Sequence, residues 1–183
     1  MDTETICVGG DGGPLILLQA TAVPQWQGAL DFDNSLMGGG DIETDYDVIC
    51  ENAAEFCVLF RYDREMAVLW DSKFSAMLLP PHLLSLSADT LVLMPCYHEA
   101  DLVSILPHIQ KAVAEGRHEY VVPFAVQDKS LRLQVGADGG EGAIYNYKHH
   151  DIPVVPGVKH CVVYLVEHNT LKDSVVVITG NNQ

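Results

Sequence analysis

Positive charge is what this chain most lacks. Its 183 residues hold 10 Lys and Arg against 25 Asp and Glu, a formal net charge of −15, and no Lys precedes Lys73. Grip on a nucleic-acid backbone or an anionic membrane needs the opposite sign, so neither is expected as a partner. Attraction to a basic protein is favoured, with solubility as the bland use of the same charge. Long apolar runs are missing too. Hydrophobic residues make up 48% of the chain but come in short blocks, well under the ~18 consecutive residues that span a bilayer. The acidic opening Met1-Asp2-Thr3-Glu4-Thr5 has none of the basic and apolar pattern of a secretory signal, and the expected location is the cytoplasm.

The motifs of common chemistry are absent as well. The cysteines, Cys7, Cys50, Cys57, Cys96 and Cys161, are odd in number and scattered, with no Cys-x-x-Cys pair; they read as free thiols of a reducing compartment rather than as zinc ligands. His82, His98, His108 and His118 have no ligand spacing. In His149-His150-Asp151, adjacent side chains point apart on any regular element, so no metal site is expected. Asp41, Glu43, Asp45 and Asp47 alternate like the oxygen donors of a calcium loop, without its central glycine and terminal glutamate. There is no Gly-x-Ser-x-Gly elbow, and no Ser or Cys stands beside an identifiable base, so no catalytic residue and no cofactor are assigned. Gly9, Gly10, Gly12 and Gly13 around Asp11 invite a phosphate-loop reading, which fails on order: such loops follow a strand and open a helix, and these precede a strand.

What the chain does carry is a series of short strands and one helix. Leu15 to Leu18 reads as a buried strand entered from the glycine turn, and Pro24, Trp26 and Gly28 bracket an aromatic that covers apolar area. Residues 29–55 are the most acidic region, without a single Lys or Arg, and Gly38-Gly39-Gly40 marks a loop within it. Residues 45–50 form a short helix turning Tyr46 and Ile49 or Cys50 inward. Phe56–Phe60 and Met66–Trp70 make an antiparallel hairpin. Phe74–Leu79 is a strand stopped by Pro80-Pro81, and Leu91–Met94 is another, ended by Pro95.

Residues 99–115 carry the clearest helical period, with Leu102, Ile105, Ile109, Ala112 and Val113 on one face, Gly116 just beyond, and Pro107 expected to kink or divide it. Tyr120–Val126 and the alternating Leu131–Val135 are strands, 136–142 is a turn, and Cys161–Val166 pairs with Ser174–Ile178. The fold class is therefore α+β: a mostly antiparallel sheet of several hairpins with one principal helix, about 99–115, packed on it. The chain forms a single domain, 1–183, or two closely packed halves, about 1–97 and 98–183.

Gly12-Gly13-Pro14-Leu15-Ile16-Leu17-Leu18, then Trp26-Gln27-Gly28, then Asp45-Tyr46-Asp47 with Cys50, resembles the opening of immunity protein family 21 of bacterial polymorphic toxin systems. Ile152-Pro153-Val154-Val155-Pro156-Gly157 and the strand pair after it are similar to that family's closing hairpin. The chain departs from the family's Asp-Tyr-Asp-Arg-Ala-Cys run in having Val48 and Ile49. The resemblance implies a non-catalytic cytoplasmic antidote that binds a cognate toxin domain by protein–protein occlusion; the acid excess, separately, suits a domain that covers a basic surface such as a nuclease active site. Asp41, Glu43, Asp45, Tyr46 and Asp47 are the candidate toxin-binding residues; the competing reading packs Tyr46 and Cys50 in the core and leaves the aspartates to solvent. A regulatory or adaptor domain that binds another protein is the alternative function, with an enzyme behind it.

Overall fold

Leu15-Ile16-Leu17-Leu18 is apolar at every position, which suits a strand covered on both faces, and all of residues 15–19 are buried. The computed structural model describes residues 7–9, 14–28, 44–47, 57–62, 65–70, 75–95, 99–135, 149–168 and 171–180. Within it, Leu15–Gln19 (β2) is the middle strand of a five-stranded sheet. Cys57–Tyr62 (β3) and Glu65–Trp70 (β4) form the expected hairpin, in register from Cys57 opposite Trp70 to Tyr62 opposite Glu65. β4 then pairs antiparallel with β2, Leu15 facing Trp70 and Leu17 facing Val68.

On its other side β2 pairs antiparallel with Ser130–Val135 (β8), from Leu15 opposite Val135 to Gln19 opposite Leu131. His150–Pro153 (β9), a strand the hydrophobic pattern did not announce, pairs with β8. Trp26 is 2% exposed and closes a cluster with Ile16, Leu18, Ala22 and Val23. Buried Gln19 is satisfied where β2 ends: its Oε1 accepts the N–H of Gln127 at 2.6 Å and of Asp128 at 3.3 Å.

The second sheet has six strands. Its order is Cys7–Gly9 (β1), Ser75–Leu78 (β5), Leu91–Pro95 (β6), Leu171–Thr179 (β11), Gly157–His168 (β10) and Tyr120–Val126 (β7). β10 and β11 form a long antiparallel hairpin from His160 opposite Thr179 to His168 opposite Leu171, and β6 lies antiparallel to both β11 and β5. The helix Glu99–Ala114 (α1) packs on this sheet through Ile105, Ile109, Ala112 and Val113, which meet Val162, Tyr164, Val166, Val175 and Val177. The α+β class and the helix lying on antiparallel sheet hold as expected.

α1 runs undivided through Pro107. The missing amide would have reached the carbonyl of Val103; Val103 is 69% exposed and Pro107 is exposed, so water can take that carbonyl on the solvent side. The helix ends where Gly116 adopts φ +61°, with the Arg117 N–H donating to Ala112 O and the Gly116 N–H to Val113 O. That pair of bonds is a Schellman cap, and it needs the left-handed conformation that glycine takes without a Cβ penalty.

Two compact units divide the chain. One comprises Met1–Cys7, Ala76–Ala125 and Gly157–Gln183; the other comprises Val8–Ser75 and Val126–Pro156. Each is assembled from stretches far apart in sequence. The Gly38-Gly39-Gly40 loop, Ile49, Cys50 and the 136–142 turn lie outside the described residues.

Candidate functional site

Of the residues singled out for binding, Asp41 and Glu43 lie outside the described residues, and Asp45, Tyr46 and Asp47 share one helical turn, 45–47. Thr44, which is buried, opens that turn. Its hydroxyl donates to Asp47 Oδ2 at 2.6 Å and its N–H donates to the same oxygen at 2.9 Å, while the Asp47 N–H donates back to Thr44 Oγ1 at 3.2 Å. This is a reciprocal capping box, with aspartate where glutamate is usual. The Thr44 hydroxyl, and then its amide, hold the Asp47 carboxyl below the usual aspartate range.

The turn is also tied to a segment well upstream. Asp45 Oδ2 accepts the Gln27 N–H at 2.8 Å, and the Tyr46 N–H donates to Gly28 O at 3.0 Å. The half-buried Tyr46 side chain packs against the cluster around Trp26. So the structure brings Asp45, Tyr46 and Asp47 together and gives each a fastening role: a half-buried acidic turn is held in fixed geometry against the 26–28 segment. Thr44 was missed by reasoning on charge, although Thr44-x-x-Asp47 carries the capping signal in plain view.

A second feature lies beside the C-terminal half of α1. The helix, the 116–119 segment and β10 enclose a cleft of about 500 Å³ lined by His108, Lys111, Arg117, His118, Glu119 and Glu167, over apolar Ala112, Leu165 and Val166. Arg117 Nε lies 2.7 Å from Glu115 Oε2, and Lys111 Nζ lies 4.0 Å from Glu115 Oε1. The His118 ring meets the Tyr164 ring nearly perpendicular, with centroids 6.2 Å apart. Burial pushes the Tyr164 hydroxyl above the ordinary tyrosine value. In sequence His108 and His118 are only two scattered histidines. The fold makes them neighbours of one cleft, because the Gly116 cap sends the chain back along β10.

The other conspicuous charges have partners. The Arg132 guanidinium on β8 donates from Nε to Asp151 Oδ1 at 2.7 Å and from a terminal nitrogen to Oδ2 at 3.0 Å, a two-pronged clamp between β8 and β9. That bond is the main reason the Asp151 carboxyl sits below its ordinary range. It also uses the acid of His149-His150-Asp151, the densest histidine cluster in the chain. Lys159, nearly buried, lies 3.6 Å from Asp89. Among the described residues, no group of three or more His, Cys, Asp or Glu is arranged to hold a metal ion, and no helix is long and apolar enough to cross a membrane. Cys161 is a free, buried thiol.

No protein-family model matches the chain, and no curated protein or solved structure matches it either.

Proposed function

We propose that the protein is a cytoplasmic immunity protein that binds a cognate bacterial toxin domain with a basic, nuclease-like surface and neutralises it by covering that surface. The observation that carries this reading is the acid excess: 25 Asp and Glu against 10 Lys and Arg, concentrated in residues 29–55. Such a field raises the encounter rate with a basic partner and repels nucleic acid that competes for it. The fastening of Asp45 and Asp47 supports the reading further. Carboxylates already held in place lose little freedom on binding, which leaves more of the interaction energy for affinity. The motif resemblance at Gly12–Leu18, Trp26–Gly28 and Asp45–Asp47 points the same way.

The test is co-expression with the toxin encoded beside this chain's own gene. The antidote reading expects the chain to rescue cells and to co-purify with the toxin; toxicity undiminished at comparable expression defeats it. A stopped-flow series locates the charged contact. Asp41→Lys together with Glu43→Lys should slow association several-fold at low salt and much less at high salt. An on-rate that does not move removes those two residues from the interface.

A further inference from the structure

Backbone bonds alternate along every strand of the five-stranded sheet, so one bond between two strands fixes which residues face which neighbour. The Ala20 N–H donates to Ser130 O, one step past Gln19 opposite Leu131. Ile16 and Leu18 therefore bond to β8, and Leu15 and Leu17 turn their backbone groups to β4, where they meet Trp70 and Val68. That leaves Glu65, Ala67 and Leu69 of β4 for β3, and their partners there are Tyr62, Phe60 and Val58. Cys57, Leu59 and Arg61 then direct N–H and C=O away from β4. Among the described residues, no strand lies on that side of β3.

The other strand edges are blunted. At the far end of the same sheet the Val154 N–H donates to Lys129 O, so Ile152 and His150 bond to β8. The outward positions of β9 are Asp151, which brings a charge, and Pro153, which has no N–H. In the six-stranded sheet β1 is three residues long, and β7 carries Pro123. β3 has six residues with neither proline nor acid, and its single charge is Arg61. An edge of that kind is a template for another strand.

We infer that the open edge of β3 pairs with β3 of a second copy of this chain, antiparallel about a two-fold axis at Leu59. The outward residues fit such an axis. Leu59 meets its counterpart while Cys57 and Arg61 meet each other, so every outward N–H and C=O finds a partner and two five-stranded sheets become one continuous sheet. A two-fold contact closes on itself, which ends the edge instead of extending it into a filament. Charge favours this place: copies of net charge −15 repel one another, and residues 57–62 hold no acid. Salt screens the repulsion between the remaining surfaces, so the pairing strengthens as salt rises, the reverse of attraction to a basic partner.

Sedimentation and amide hydrogen exchange of the full chain, over a range of concentration and salt, test this. Mass should shift from one chain to two as concentration rises, and at lower concentration in high salt. Exchange at Cys57, Leu59 and Arg61 should slow with that shift, and exchange at Val58, Phe60 and Tyr62, already bonded to β4, far less. Leu59→Pro removes one outward amide and no bond to β4, at an edge position that accepts proline. It should abolish the two-chain species and leave protection of the Leu15 and Leu17 amides as it was. A dimer that survives Leu59→Pro overturns the pairing, as does a single-chain mass under every condition or open-ended aggregation in place of a dimer. If the variant fails to fold, the unmodified chain decides: Cys57, Leu59 and Arg61 exchange rates that do not depend on concentration also overturn it. No toxin takes part, so this result and the co-expression test stand or fall separately.

Discussion

The hydroxyl of Thr44 and the carboxylate of Asp47 hold each other across the first turn of a helix, and each also takes a backbone amide of the other residue. Removing the hydroxyl by Thr44→Ala should cost about 1 kcal/mol of stability, read as a lowered urea midpoint with an unchanged slope. Hydrogen bonds depress the Asp47, Asp89 and Asp151 carboxyls below the ordinary aspartate value of 3.8, chiefly from Thr44, Ser87 and Arg132 respectively. A depressed carboxyl favours the folded state fully above that ordinary value and loses its contribution as pH falls through the folded-state value, because the unfolded chain binds the proton first. Urea midpoints should therefore fall on acidification below about pH 4, and Asp151→Asn should flatten part of that fall; an equally steep fall in the variant would remove Asp151 from the account. Part of this was legible. Thr44-x-x-Asp47 spells a capping box, but the Gln27 amide and the Gly28 carbonyl that complete the anchorage are placed by tertiary path, which no local pattern encodes.

α1 shows how far periodicity reaches. Its apolar face at Ile105, Ile109, Ala112 and Val113 is the buried face, because a 3.6-residue repeat leaves one stripe to cover. Ile109 is fully buried, so Ile109→Ala should cost about 2–5 kcal/mol, measured by denaturant titration. Pro107→Ala should do the opposite, raising the melting temperature, since it restores an amide at a solvent-facing position where proline can cost up to about 3 kcal/mol. The hairpins β3–β4 and β10–β11 were equally readable, as adjacent apolar runs with a short polar break. β9 was not. In His150-Asp151-Ile152-Pro153 only Ile152 is buried apolar, too little for an alternation to register. Its place is marked by Asp151 meeting Arg132, a pairing visible only once both strands exist.

For the whole molecule, the acid excess and the strand order are legible to different degrees. Net charge is read directly from composition. Sheet order is not: β2 lies between β4 and β8, and β11 between β6 and β10, so the decisive neighbours are remote in sequence. The placing of β11 bears on how the molecule is made. It follows both β6 and β10 in the chain, yet it lies between them in its sheet, so β6 and β10 have nothing to join them until residues 171–179 have been made. A nascent chain halted before Leu171 would present two raw strand edges with a gap between them, prey to proteases and self-association. A copy cut short before Leu171 therefore lacks the strand that unites its sheet.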